Sequence, residues 1–156
     1  DNSITQRTAE PYALKEFHNR WYVMANEQGK IKSFALDRLT NLEITKQAFK
    51  QPLLQSIEDN YKYCFGIMSA NDTEPQNIVL SFNAHQGKYI KSLPLHPSQQ
   101  IIIDNEEEIR IQLQLFITED LVMELLSFGN NVKVLAPQIL IDEMKTIYQK
   151  AFQQYV

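Results

Sequence analysis

From Ile109 to Ile117, the aliphatic residues Ile109, Ile111, Leu113, Leu115 and Ile117 occupy every second position, with Arg110, Gln112, Gln114 and Phe116 between them. Only an extended chain sends alternate side chains to opposite faces. The run therefore predicts a strand with one buried and one wet face, in a sheet packed on one side. Its flanks extend the reading. Thr118 predicts a helix cap, with Glu119 and Asp120 in the first turn and Gly129 at the end. Residues 78–82 and 99–103 read as strands, and the acidic turn 104–108 joins the second of them to the alternating run. A short helix is expected over 84–92, stopped by Leu93 and Pro94, and a strand over 132–135. Pro137 opens a last helix, where Ile139, Leu140, Met144, Ile147, Tyr148, Ala151 and Phe152 recur at helical spacing. The order β-α-β-β-α-β plus a terminal helix predicts a ferredoxin-like domain over residues 77–156.

The front of the chain has a different texture. Residues 20–25 are aromatic and β-branched, the polar stretch 26–29 supplies a turn with Gly29, and residues 30–36 form the returning strand of a hairpin. Further strands are expected at residues 4–8 and 41–45. Small all-β modules usually close into a barrel because open edges invite pairing, so residues 1–47 are expected to form one. Residues 48–76 connect the two parts. They hold a helix over 53–63 entered after Pro52, and a polar loop at 71–75 taken as the domain boundary. The fold class is thus α+β. The chain does not begin with Met and its first residues already read as strand, so it is expected to start partway through a longer protein.

Charge divides the same way. Residues 1–50 carry eight Lys and Arg against six Asp and Glu, and the rest carry seven against thirteen, for a net charge of −4. An acidic chain does not wrap duplex DNA, but its basic front suits a small anionic partner. No apolar run approaches the roughly 20 residues of a membrane span. One cysteine, Cys64, cannot build a disulfide framework, so a cytoplasmic location is expected.

Catalytic motifs are missing. His18, His85 and His96 lie far apart, none pairs with Cys64 at metal-ligand spacing, and there is neither HExxH nor CxxC. His96 reads as a structural contact near a turn. There is no GxSxG elbow, and four glycines in all leave no phosphate-cradling loop. Cys64 sits among apolar neighbours, where cysteine packs as a small hydrophobe. Glu106, Glu107 and Glu108 read as a solvated turn. The expectation is a protein that is not an enzyme and needs no metal or cofactor.

What remains is recognition. Arg20, Tyr22, Lys32 and Arg38 sit among Tyr12, Trp21 and Phe34. Cationic side chains hold phosphates and aromatic faces stack on bases. Strand alternation sets Trp21 and Val23 on one face and Arg20 and Tyr22 on the other, while Lys32 and Phe34 share a face. Trp21, Val23, Phe34 and Leu36 are expected in the core, since tryptophan is usually mostly buried. Arg38, directly after Asp37, reads equally as an ion-pair member or an anion hook.

These stretches resemble a WYL domain. Glu10 to Leu14 followed by Arg20-Trp21-Tyr22-Val23 is similar to the family's strand pair, with Val23 in place of the usual Leu. Lys30 to Leu39 resembles its second hallmark, with Lys32 where an Arg often stands; the charge is kept and the bidentate fork is lost. Tyr89 to Gln99 and Leu126 to Pro137 resemble the C-terminal extension of such regulators, called WCX. The resemblance implies an Sm-like, SH3-type barrel followed by the ferredoxin-like extension. It implies the effector-sensing and dimerisation region of a bacterial, cytoplasmic transcriptional regulator. Such regulators reach operator DNA through an N-terminal helix-turn-helix, which this chain lacks. It also implies a nucleotide or single-stranded nucleic-acid effector and a homodimer. Arg7, Tyr12, Arg20, Tyr22, Lys32 and Arg38 are the candidate ligand-binding residues. A purely structural assembly module without a ligand is the alternative.

Overall fold

The computed structural model describes residues 4–50, 54–68 and 73–156. The chain divides into two compact units, residues 1–62 and 63–156, each α+β with one antiparallel sheet.

In the first unit, β1 (Glu10–Phe17), β2 (Arg20–Glu27) and β3 (Lys30–Ala35) form a sheet in the order β1-β2-β3. Each hairpin turns on two residues with positive φ: His18 at 50° and Asn19 at 60°, then Gln28 at 55° and Gly29 at 83°. Two consecutive left-handed residues make the tight turn whose twist matches paired strands. A 3₁₀ turn, Leu36–Arg38, follows β3, and helix α1 spans Leu54–Tyr61. Met24, Ala25 and Ile57 are buried in this unit.

Two expected strands are not there. Residues 4–8 and 41–45 form no strand, and Ile4, Leu42 and Ile44 are almost wholly exposed. An isolated apolar residue in a polar stretch has no neighbouring strand to bury it against, so local β-propensity is not realised. The described sheet consequently stays open, where the sequence had suggested a closed barrel.

The second unit holds the main core. Its elements are β4 (Gln76–Asn83), α2 (Ala84–Ser92), β5 (Gln100–Asp104), β6 (Glu108–Leu115), α3 (Glu119–Ser127), β7 (Val132–Ala136) and α4 (Gln138–Phe152). The sheet order is β5-β6-β4-β7, and every neighbouring pair is antiparallel. The alternating run forms β6 with one face buried, as its pattern predicts, and lies between β5 and β4. Ile109, Ile111 and Leu113 face Phe82, Leu80 and Ile78 across the β4–β6 ladder, and all six are buried. Ile90 of α2, Leu121 and Leu125 of α3, and Leu140 and Met144 of α4 join the same cluster. The Asn83 carboxamide oxygen accepts the Gln86 N–H at 2.8 Å and so starts α2. Thr118 occupies the same position before α3, yet its hydroxyl makes no capping bond. His96 lies in a turn, where its Nδ1 accepts the Ser98 N–H at 3.1 Å.

Candidate functional site

Antiparallel register fixes which side chains of the first sheet lie together. Directly opposed residues share a face, so Val23 and Phe34, Ala25 and Lys32, and Glu27 and Lys30 lie on one side, together with Trp21 and Leu14. Arg20, Tyr22, Met24 and Asn26 lie on the other.

The first face ends in a charge cluster. Glu27, nearly buried, accepts hydrogen bonds from the Arg7 guanidinium at 3.0 and 2.9 Å, and a further one from the Lys32 ammonium. The Lys32 and Arg7 bonds hold the Glu27 carboxyl below the ordinary carboxylate range, outweighing its burial. Lys30 stands across the ladder from Glu27. Two cations thus hold one carboxylate and leave a positive surplus.

Along the same face, Trp21 and Leu14 are more than half exposed. This corrects the expected core. Val23 and Phe34 are partly buried, but Trp21 at 53 % and Leu36 at 40 % exposure stand in solvent. Burial on this face rises along β2, from exposed Trp21 through Val23 to the buried Ala25 and Glu27, so Trp21 stands at the end of the face that does not pack.

The six candidate residues are therefore divided. Arg7 and Lys32 meet at Glu27. Arg20 and Tyr22 lie on the opposite face, where the Arg20 guanidinium is 3.9 Å from the Asp37 carboxylate. Tyr12 sits at a break in the β1–β2 register and donates its hydroxyl to Glu10 at 2.8 Å. The same Glu10 oxygen accepts from the Asn26 carboxamide at 2.8 Å. These bonds, Asn26 foremost, lower the Glu10 carboxyl from its usual value, while the carboxylate raises the Tyr12 phenol. Glu10 and Asn26 line a shallow cleft of about 330 Å³ that reaches Phe49. Arg38 ends the 3₁₀ turn, exposed and without an ion pair among the described residues.

Sequence reading set Trp21 on this face but assigned it to the core, and it left Glu27 out of the candidate site. Glu27 was accessible to it, since it shares the parity of Val23 and Ala25 on β2.

The WYL domain family matches residues 1–44 and the WCX domain family residues 74–152. A comparison with curated proteins finds no match. Among solved structures, proteasome accessory factor B/C (PafBC) of Arthrobacter aurescens is similar, with 23% identity and a TM-score of 0.33 over 88% of this chain. The match covers 21% of that structure, so this chain spans about a fifth of its length. With WCX over half of its length and WYL at its front, the chain belongs to the WCX domain family and carries a WYL domain before it.

Proposed function

We propose that this chain is the effector-sensing region of a bacterial transcriptional regulator, and that its effector is a single-stranded nucleic-acid fragment or a nucleotide. The observation that carries the reading is the presence, on one sheet face, of exposed Trp21 and of the cations Arg7 and Lys32 gathered at Glu27. A base stacks on the indole, and phosphates compete with Glu27 for the cations. Arg38, exposed and unpaired among the described residues, is a further phosphate hook. The WYL match over residues 1–44 supports the same assignment.

In this reading the protein is not an enzyme and works in the cytoplasm. It acts as a homodimer whose operator contacts come from a helix-turn-helix outside this chain. Binding matters because the effector favours one of two arrangements of the dimer. We read the first sheet as part of an Sm/SH3-like barrel. We read the second unit as ferredoxin-like, which its βαββαβ order and the interleaved strand order β5-β6-β4-β7 support.

Fluorescence anisotropy of a labelled single-stranded oligonucleotide, measured across a salt series, tests the proposal. Affinity that declines with salt and weakens in Lys32→Ala and Arg38→Ala is the expected result. No binding at low salt, or binding indifferent to both substitutions, overturns it.

A second reading, an assembly module without ligand, draws on exposed Ile101 and Ile102 in the edge strand β5 and on exposed Phe152 and Tyr155. Light scattering tests it: a monomer at micromolar concentration removes its support.

A further inference from the structure

Glu10, Asn26 and Phe49 line the cleft of about 330 Å³ in the first unit. That volume lies at the lower end of the roughly 300–1,000 Å³ typical of small-molecule sites, and suits a ligand the size of a nucleobase. Two features of the β1–β2 ladder build its polar wall. Glu10 and Asn26 are opposed across the ladder and so share a face. The register break between Pro11 and Ala13 re-aims Tyr12, whose hydroxyl donates to Glu10 Oε2 at 2.8 Å. Asn26 Nδ2 donates to the same oxygen, also at 2.8 Å.

The hydrogen-bond inventory then fixes what the wall can offer. A carboxylate only accepts, so the Asn26 carboxamide turns its nitrogen to Glu10 and keeps its oxygen for another donor. Both internal donors fall on Oε2. Glu10 Oε1 and Asn26 Oδ1 accept nothing among the described residues. The wall therefore holds two neighbouring acceptors, one of them charged. An aromatic side completes it: Phe49 is 38 % exposed and packs on Tyr12 with ring centroids 6.0 Å apart.

The complement of this wall is a flat group with two adjacent donors. Among the bases only guanine has one, the N1–H and the N2 amino group of its base-pairing edge. Adenine and cytosine alternate a donor with an acceptor there, and thymine sets one donor between two acceptors. Cations for the phosphates lie alongside. Arg7 directly precedes Thr8 of the cleft, and its partner Glu27 directly follows Asn26 on β2.

We propose that the cleft takes an unstacked guanine base, with N1–H and the N2 amino group on Glu10 Oε1 and Asn26 Oδ1 and the ring against Phe49. The inference rests on the nucleic-acid reading of the neighbouring sheet face and adds a base preference to it.

The test is competition anisotropy on the full chain, with thymine-only oligonucleotides and the same strand carrying one central guanine, hypoxanthine, adenine or cytosine. The guanine strand is expected to bind about tenfold or more tighter than the adenine and cytosine strands, the discrimination that a bidentate base contact gives. Hypoxanthine lacks the N2 amino group, so its strand falls between. Glu10→Gln abolishes the ranking without weakening the thymine-only strand, and that retained binding shows the variant to be folded. Phe49→Ala weakens the guanine and hypoxanthine strands alike. Affinity that ignores the base overturns this inference and leaves the sheet-face reading standing, whereas absence of binding to every strand overturns both. A guanine preference that survives in Glu10→Gln overturns the inference too. So does displacement of the guanine strand by N-acetylarginine amide, whose guanidinium also carries paired donors, in place of guanosine monophosphate.

Discussion

Arg7 donates one guanidinium nitrogen to both carboxylate oxygens of Glu27, twenty positions away, at 3.0 and 2.9 Å. Glu27 is thereby the counter-ion of a cation cluster and not a bystander on the strand. Replacing it by Gln frees Arg7 and Lys32. The Glu27→Gln chain is expected to be less stable, yet to bind oligonucleotide more tightly at low salt. Thermal melting and anisotropy on the same variant check both signs. A drop in affinity would mean that Glu27 organises the cations for the ligand.

Acid stability follows from the same contact. The Glu27, Glu10 and Glu108 carboxyls all titrate below their usual value in the folded chain. For Glu108 the leading cause is the hydrogen bond donated by the Ser81 hydroxyl, with Arg110 adding to it. Their ordinary value of about 4.5 describes the unfolded chain. The unfolded state therefore holds more protons in the window below about 4.5, and folding stability falls there as pH drops through the native values. Above that window these groups contribute fully. Denaturant melts from pH 3 to 6 are expected to show the decline, with a smaller slope in Glu27→Gln.

Gly87 in α2 has no room for a side chain. A Cβ there would lie 2.1 Å from Ile109 Cγ1 and 2.5 Å from Ile109 Cβ, a buried side chain near the start of β6. Overpacking of this kind typically costs about 1–3 kcal/mol. Gly87→Ala is expected to lower the melting temperature despite alanine's better helix propensity, whereas an unchanged melt would mean that α2 moves freely against the sheet.

Asp120 joins α3 to the segment after α1. Its Oδ2 accepts the Ile67 N–H at 2.9 Å and the Met68 N–H at 2.8 Å. Hydrogen bonds to a charged group are worth about 1.5–3 kcal/mol each. Asp120→Ala is expected to destabilise the second unit and to speed amide exchange at Ile67 and Met68. Leu113 and other central β6 amides should keep their order of protection.

Much of the second unit could be read from residues alone, because its signals are redundant. The β6 alternation, the Pro94 stop and Pro137 start, and the acidic turn before β6 all agree with one topology. The first unit is different. Residues 4–8 and 41–45 look like strands only locally, and Ile44 has no partner to bury it. Trp21 shows the same limit more sharply. Alternation placed it opposite Arg20 correctly, but tryptophan's general preference for burial fails at the start of β2, although Ala25 further along the same face is buried. Which stretch of a strand packs is decided by contacts distant in sequence, and no local pattern carries that. Thr118 is the reverse case: its position was read correctly, while its missing capping bond needed coordinates.

The central claim is that exposed Trp21 and the cations around Glu27 form one nucleic-acid-binding face. Trp21 is the chain's single tryptophan, so its fluorescence reports on that face alone. Titration with a short single-stranded oligonucleotide is predicted to quench it saturably, with affinity falling as salt rises at about 0.7 log units per log[salt] for each phosphate held. Lys32→Ala should lower that slope by about the same 0.7. Trp21→Ala, followed by anisotropy, should lose about 1–3 kcal/mol of binding. Unquenched emission at low salt, or quenching that neither salt nor Lys32→Ala changes, would contradict the account.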